Sequence, residues 1–169
     1  ELRFHEPSSR EFTETLFPSG PPQTLQDTQE ILDLYKIMVK SSESLVNRRQ
    51  AVNTFFLTIN GALLTASGLI VKSSGDDDFT SWGIVVISFA GAVLCLAWRS
   101  LIKSFGQLNT GKFKVINAIE HHFKAAIYAA EWIALGQGED PKIYRSFTSR
   151  EIWVPNLLLF LHVIAALVA

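Results

Sequence analysis

The sequence predicts an all-α integral membrane protein with three spanning helices, a cytoplasmic helical hairpin and a homo-oligomeric assembly. Three observations lead to this prediction. Charged residues make up 18% of the 169 residues and hydrophobic residues 48%, whereas soluble domains carry about 25% charged residues. Three long runs of the chain are almost free of charge. Two further stretches carry apolar residues at the three- and four-residue spacing of a helix.

The N-terminal segment, residues 1–23, is predicted to form a flexible arm. It contains four of the six prolines in the chain, and proline and glycine interrupt regular structure. The alternative is that apolar residues of the arm dock it on a neighbouring surface. These apolar residues are Phe4, Phe12, Leu16 and Phe17.

Residues 24–50 are predicted to form a cytoplasmic amphipathic helix. Thr24 precedes Asp27 by three residues, which is the pattern of a capping box at the start of a helix. No glycine or proline interrupts the chain between Thr24 and Asn60, so we expect one helix that continues directly into the first span. The apolar stripe of this helix consists of Ile31, Leu34, Tyr35, Met38, Leu45 and Val52.

The three uncharged runs are each long enough to cross a bilayer. They contain 22, 20 and 18 residues, and about 20 apolar residues in a helix span a hydrocarbon core of about 30 Å. We place the three spans at 51–72, 82–99 and 152–169. The outer loop between the first two spans, 73–81, contains Asp76, Asp77 and Asp78.

The distribution of basic residues predicts the orientation in the membrane. Lysine and arginine close to spanning helices are retained on the cytoplasmic side. In the predicted topology Lys72 is the only basic residue outside, against 14 inside. We therefore expect a cytoplasmic N-terminus and a third span that ends near the outer face.

Residues 100–137 are predicted to form a cytoplasmic return helix. Apolar residues from Phe113 to Ala134 recur at helical spacing, and the glycines and proline of "GQGEDP" mark the end of the helix. The return helix and the helix at 24–50 are expected to pack as an antiparallel hairpin. A lone hairpin would leave part of its apolar surface in water, so we expect a homo-oligomer.

Residues 138–151 are predicted to form a loop and an interfacial segment. The sequence "IYRSFTSREIW" is amphipathic and lies directly before the third span. We expect its aromatic residues at the level of the lipid headgroups, with Arg145 and Arg150 directed toward phosphate.

Polar and small residues recur at intervals of seven within the first span. Asn53, Asn60 and Ser67 form one line along the helix, and Gly61 and Gly68 lie beside it. Because lipid offers an amide no hydrogen-bond partner, this face is expected to point at protein or water. One alternative is close interhelical packing, in which small residues let backbones approach. The other is that the face lines a conduit around the axis of an oligomer.

Six basic residues flank the spans on the predicted cytoplasmic side. In one interpretation they set the topology and contact anionic headgroups. In the other they form an anion site for a nucleotide, an oligonucleotide or the acidic surface of a partner. The six residues are Arg48, Arg49, Arg99, Lys103, Lys112 and Lys114.

Patterns typical of catalysis or metal binding are missing from the sequence, so we expect no enzyme activity, no metal site and no cofactor. Glu120, His121 and His122 are adjacent, and they lack the His-x-x-x-His spacing that places two ligands on one face of a helix. Cys95 lies in a spanning run and is expected to be a small packing residue. The formal net charge of -1 gives no reason to expect double-stranded nucleic acid as a partner.

Two stretches carry a resemblance to known families: "SLVNRRQAVNTFFLTINGALLTASG" at residues 44–68, and "IEHHFKAAIYAAEW" after the second span. The chain resembles the RipA-type family of bacterial octameric inner-membrane proteins. It is also similar to the broader SLATT class of two-span membrane proteins, which are found beside nucleotide-signalling enzymes in bacterial defence loci. The first resemblance implies an octamer in the bacterial inner membrane without known chemistry. The second implies a pore-forming effector that a signal opens.

Two functions are therefore expected. The first is an oligomeric effector, acting in anti-phage defence if the second resemblance holds, that alters membrane permeability under the control of its cytoplasmic helices. A soluble signalling partner or a nucleotide would be the controlling ligand. The alternative is a non-conducting membrane scaffold that recruits a soluble partner protein. Both functions place the chain in contact with membrane lipids and with copies of itself.

Overall fold

The computed structural model describes residues 8–73 and 78–169, and all regular structure in these residues is helical. The predicted all-α fold is therefore confirmed. The described α-helices are α1 (Ser9–Leu16), α2 (Leu25–Ser73), α3 (Asp78–Glu120), α4 (Ile127–Ala134), α5 (Phe147–Glu151) and α6 (Trp153–Val168), with a short 3₁₀ helix at Gly136–Gly138. Phe4 of the predicted arm, and Asp76 and Asp77 of the predicted outer loop, lie outside the described residues.

The predicted arm contains one helix, α1. It begins after Ser8, whose hydroxyl oxygen accepts a hydrogen bond of 3.1 Å from the backbone N–H of Glu11. A serine in this position supplies a partner that the first turn of a helix otherwise lacks. Beyond the helix, the ring of Phe17 packs edge-on against the ring of His122, with centroids 4.7 Å apart. The arm thus contains a short helix, and one of its apolar residues lies against the chain just beyond α3, as the docking alternative expects.

α2 is the single long helix that the sequence predicted. Its 49 residues correspond to about 73 Å at 1.5 Å per residue. The capping box is present: Thr24 Oγ1 accepts from the backbone N–H of Asp27 at 3.1 Å, and Asp27 Oδ2 accepts from the N–H of Gln23 at 3.1 Å and of Thr24 at 3.0 Å. The backbone donors of Gln23 and Thr24 lower the pKa of Asp27. Since a span needs about 20 residues, roughly half of α2 stands outside the bilayer.

α3 runs antiparallel to α2 as one uninterrupted helix of 43 residues. Gly106 lies inside this helix, and a Cβ at this position would lie 2.6 Å from Oγ1 of Thr148, so glycine allows α5 to approach closely. The sequence predicted a return helix as far as residue 137, whereas α3 ends at Glu120 and a new helix starts at Ile127. The return helix is divided because the Glu120 carboxylate binds the first turn of α4, as described below.

Three helical segments are long and apolar enough to cross a membrane: α2, α3 and the stretch Phe147–Val168, which α5 and α6 form together. α3 lies between the other two. A buried cluster is formed by Phe56 of α2 with Trp98 and Ile102 of α3, and the first two rings are stacked with centroids 5.8 Å apart. Val154 and Leu158 of α6 pack against the same cluster. The three spanning helices therefore share one apolar core.

Most of the apolar surface of the spans faces outward in a single chain. In the most apolar 18-residue segment of the first, second and third spans, only 17%, 22% and 11% is buried, respectively. Phe55, Phe89 and Phe160 illustrate this, with 56%, 71% and 60% of their surface exposed. Exposed apolar surface of this extent marks a membrane or protein interface. Lipid or neighbouring copies of the chain must therefore cover it.

Gly91 lets α6 pack directly on α3, because a Cβ there would overlap the imidazole ring of His162. We expect Gly91→Ala to displace α6 and to lower the free energy of unfolding by about 1–3 kcal/mol, the usual cost of overpacking. Gly83→Ala on the same helix is the matched control, since nothing lies within 4 Å of a Cβ at that position. Thermal unfolding in detergent, followed by circular dichroism, compares the two variants. Equal stability would contradict this packing of α6.

Candidate functional site

Asn60, near the middle of the first span, joins α2, α3 and α6. Its side chain is fully buried. The amide oxygen is 3.2 Å from Sγ of Cys95 on α3, which donates to it, and 3.1 Å from Nε2 of His162 on α6. The amide nitrogen donates to the carbonyl oxygen of Phe56 at 2.8 Å. Asn60 therefore finds partners for both of its polar atoms inside one chain, which the surrounding lipid could not provide.

The contact with Asn60 defines the tautomer of His162. Because an amide oxygen can only accept hydrogen bonds, Nε2 of His162 must carry the proton. Nδ1 of His162 is then an acceptor, and it is buried without a hydrogen-bond partner among the described residues, as is the hydroxyl oxygen of Ser88. A neutral imidazole with its proton on Nε2 therefore connects the third span to the first.

A second polar cluster lies seven residues along α2, toward the membrane surface. Asn53 accepts a hydrogen bond from Nε1 of Trp98 at 2.8 Å and donates to the Glu151 carboxylate at 3.0 Å. The same Glu151 oxygen accepts from Nε of Arg49 at 2.7 Å, and Arg49 also donates to Thr148 at 3.3 Å. The side chains of Arg49 and Glu151 are 12% and 30% exposed, so water screens this ion pair less than a surface pair. The cluster attaches the chain before α6 to the first two spans.

The structure separates the asparagine line from the two glycines beside it. Asn60 and Ser67 are buried, and the Ser67 hydroxyl donates to the carbonyl oxygen of Leu63 at 3.0 Å. Gly61 and Gly68 are exposed, and nothing lies within 4 Å of a Cβ built on either. The buried position of Asn60 favours helix packing as the role of the asparagine line. The glycines stay available to neighbouring copies, lipid or water.

Gly61 and Gly68 belong to a longer exposed stripe on α2. Its members are spaced four, three, four and three residues apart, so they share one face of the helix, roughly opposite the face that packs on α3 and α6. These five positions hold only threonine and glycine, although they lie within a span, and the exposed Leu57 and Leu69 flank them. We call these five residues the outer stripe: Thr54, Thr58, Gly61, Thr65 and Gly68.

Outside the membrane, Glu120 connects α2, α3 and α4. It is 1% exposed, and its carboxylate accepts from the phenol of Tyr35 on α2 at 2.8 Å. It also accepts from the backbone N–H groups of Tyr128 and Ala129 at 3.1 and 3.2 Å. These donors lie in the first turn of α4, where no intrahelical acceptor exists and negative charge is favoured. Burial, followed by the hydrogen bond to Glu120, raises the pKa of Tyr35.

The six predicted cationic residues do not converge on one place. Arg49 binds Glu151, and Lys112 donates a hydrogen bond to a serine of α2. Arg99 and Lys114 are separated by about 22 Å along α3. A small anion cannot contact all six together. The remaining members, Arg48 and Lys103, are exposed, and contact of this group with headgroups or with an extended partner surface stays a prediction.

His162, Glu151 and Glu120 are central to these clusters and were not among the predicted site residues. His162 could have been identified from the sequence, because it is the only titratable residue in the third uncharged run. An ionisable residue inside a span usually has a protein partner. Glu151 and Glu120 carried no such signal, since they lie outside the spans. Their partners are also distant in sequence, such as Arg49 for Glu151.

Asn60 and His162 are expected to be energetically coupled. Asn60→Leu removes the acceptor of two buried donors, and we expect it to lower the free energy of unfolding by about 1–3 kcal/mol. In a double-mutant cycle with His162→Phe we expect a coupling energy of about 0.5–2 kcal/mol. Unfolding in mixed micelles gives the four stabilities required. The control cycle pairs Asn60→Leu with Phe160→Leu, an exposed position on α6. A coupling energy between Asn60 and His162 no larger than that of the control cycle would contradict a direct contact between the two side chains.

Tyr35 is expected to make the extramembrane hairpin, formed by the parts of α2 and α3 outside the membrane, less stable at alkaline pH. The pKa of the Tyr35 phenol is raised in the folded chain. The protonated phenol therefore contributes its full stabilisation below the ordinary pKa of 10.0, and this stabilisation is lost as pH rises through the higher pKa of the folded state. The phenolate absorbance of the wild type minus that of Tyr35→Phe isolates this residue. We expect the difference curve to be centred above the ordinary value. A curve centred at or below that value would contradict the buried contact with Glu120.

Comparison with known proteins gives one match. Residues 32–169 match the model of the Octameric membrane protein family (8xMP), and this range contains α3 to α6 and most of α2. Searches of curated proteins and of solved structures each found no match. The match does not bear on the resemblance to the SLATT class, which stays a hypothesis. Since the matched range covers most of the chain and all three spans, the protein belongs to the octameric membrane protein family.

Proposed function

We propose that the chain forms a ring in the bacterial inner membrane and alters membrane permeability, with the outer stripe of α2 facing the axis of the ring. The observation that carries the proposal is the outer stripe itself. Five consecutive positions of one helix face within a span hold only threonine and glycine, and all are exposed in the single chain. A lipid-facing surface gains nothing from hydroxyl groups, whereas a water-filled lumen solvates them.

The position of the polar clusters supports the same arrangement. Asn53 contacts Trp98 of α3, and Asn60 contacts both α3 and α6. Ser67 is buried on the same side, so the opposite side of α2 is left for contacts beyond the chain. Bulky residues such as Phe89 of α3 and Phe160 of α6 are more than half exposed and suit contact with acyl chains. In this arrangement α2 is the inner helix of each subunit, and α3 and α6 are the outer helices.

The size of such a lumen follows from the number of subunits. Eight helices packed side by side at about 9–10 Å form a circle with a radius of about 12 Å. Subtracting the radius of a helix leaves a lumen roughly 14 Å wide. An opening of this width would pass ions and small metabolites without selecting among them. The proposed function is therefore a non-selective permeability change and not catalysis.

The proposed orientation places the extramembrane hairpin in the cytoplasm. Arg48, Arg49, Arg99 and Lys103 lie at the end of the spans that bears the hairpin, and basic residues are retained on the cytoplasmic side. The hairpin is then positioned to control the lumen, because α2 continues through both parts without a break. A ligand that moves the extramembrane half of α2 would move the outer stripe with it.

Water exposure of the outer stripe tests the proposal. We expect Thr58→Cys and Thr65→Cys in liposomes to react with a charged thiol reagent, because both side chains would face the lumen. Phe55→Cys is the matched control one turn before Thr58: its side chain is also exposed in the single chain but lies on a different face of α2, and it is expected to react at least tenfold more slowly. The single native cysteine, Cys95, is fully buried and serves as background. Unreactive cysteines at both threonine positions, together with no dye leakage above empty liposomes, would overturn the proposal.

The second candidate function is a non-conducting scaffold that recruits a soluble partner. One observation favours it: Leu34 and Ile37, on the part of α2 outside the membrane, are 60% and 65% exposed. Apolar side chains in water mark a protein-binding surface. A sealed ring with unreactive stripe cysteines, in which Leu34→Glu or Ile37→Glu leaves the octamer intact, would favour the scaffold. Loss of the octamer in these variants would instead assign both residues to contacts between copies.

A further inference from the structure

A basic groove lies beside the start of the third span, and neither the spanning clusters nor the outer stripe includes it. It has a volume of about 810 Å³. Its walls combine three aromatic rings with two arginines and two serines. The groove is lined by Trp132, Gln137, Gly138, Pro141, Tyr144, Arg145, Ser146, Ser149, Arg150 and Trp153.

The aromatic wall of the basic groove is fixed by local packing. The rings of Trp132 and Tyr144 meet edge to face, with centroids 5.9 Å apart. The other side of Trp132 rests on Gly138, where a Cβ would lie 2.9 Å from the ring. Gly138 also has a φ of +75°, which L side chains rarely adopt. The chain after α4 therefore folds under Trp132 and holds it at the groove.

The charge of the basic groove is unbalanced. Among residues 8–73 and 78–169, Arg145 donates only through Nε, to the carbonyl oxygen of Pro141 at 3.3 Å, which leaves its two terminal nitrogens for a ligand. The Arg150 guanidinium has no hydrogen bond or ion pair with any described residue. The neighbouring Glu151 turns away to bind Arg49, and none of the lining residues is acidic. Arginines with free donors are suited to binding a phosphate group.

The basic groove lies at the membrane surface. Trp153 is both a lining residue and the first residue of α6, and tryptophan is enriched at the headgroup level. Phe147 and Trp153, on either side of Arg150, are 67% and 59% exposed, which suits insertion among lipids. A ligand in the groove would thus have its charged end at the arginines and its apolar end along α6.

We propose that the basic groove binds the phosphate headgroup of an anionic phospholipid, with Arg145 and Arg150 contacting the phosphate and the acyl chains lying along α6. The aromatic wall and the position at the start of a span favour a lipid over a free phosphate, because a soluble anion would gain nothing from Phe147 and Trp153. This site does not depend on a lumen: it is expected in a conducting ring and in a closed scaffold alike.

Lipid binding to the full chain in detergent tests the site. Native mass spectrometry of the octamer, titrated with phosphatidylglycerol or with phosphatidylcholine of the same acyl chains, gives the two apparent affinities. We expect phosphatidylglycerol to bind at least tenfold more tightly, and Arg145→Gln combined with Arg150→Gln to abolish this preference. Lys124→Gln combined with Lys142→Gln removes the same charge outside the groove and is expected to keep the preference.

Two further measurements, on a single variant and with soluble competitors, complete the test. Arg150→Gln alone breaks no side-chain hydrogen bond or ion pair with a described residue, so it is expected to fold and to weaken phosphatidylglycerol binding at least threefold, even if the double variant does not assemble. Inorganic phosphate and glycerol 3-phosphate are added as soluble competitors. Displacement of the lipid by either at low millimolar concentration would assign the groove to a small phosphate compound and overturn the proposal. An unchanged lipid preference in Arg150→Gln, or an equal loss in the lysine control, would also overturn it.

Discussion

The amide of Asn60 has to find hydrogen bonds in a place where the solvent provides none. It lies near the middle of the first span, and each unsatisfied polar group in hydrocarbon costs several kcal/mol. Cys95 from α3 and His162 from α6 supply the contacts to its oxygen, which requires both helices to pack on one side of α2. The arrangement of the three spans therefore follows from the partners that one asparagine needs. Gly91 makes the contact sterically feasible by giving the imidazole room.

The same constraint divides α2 into two faces with different roles. Once Asn53, Asn60 and Ser67 are satisfied within the chain, the face opposite to them is free to contact other subunits or a lumen. Membership of the octameric family makes contacts between copies a property of the protein. The continuity of α2 then connects membrane and extramembrane parts, because the helix that carries the outer stripe also reaches Glu120 through Tyr35. A change at the Glu120 contact would thus act on a helix that enters the membrane.

Much of the fold was predictable from the sequence because it depends on local patterns. The capping box at Thr24, the unbroken course of α2 and the three spans each follow from residues close together in the chain. The division of the return helix at Glu120 was not predictable in this way. Its cause is a buried carboxylate that caps α4 and contacts Tyr35, 85 residues away, and no spacing within residues 100–137 indicates that contact.

The candidate site was predictable only in part, for a related reason. The seven-residue period grouped Asn53, Asn60 and Ser67, but it could not separate this line from Gly61 and Gly68. A step of one residue turns a helix by about 100°, and only the positions of α3 and α6 decide which side is covered. Similarly, the basic residues near the spans were identified as a group. The structure distributes them between an ion pair, helix contacts and open surface.

Solid-state nuclear magnetic resonance of the octamer in lipid bilayers measures the contact on which this arrangement depends. The side chain of His162 is labelled with ¹⁵N and that of Asn60 with ¹³C, and the labelled chain is then diluted into unlabelled subunits. We expect a neutral imidazole protonated on Nε2, with a dipolar coupling between Nε2 and the Asn60 carbonyl carbon that persists on dilution. Protonation on Nδ1 alone, or a coupling that disappears on dilution, would mean that Asn60 meets its partners in another way and that the three spans are not joined within one chain.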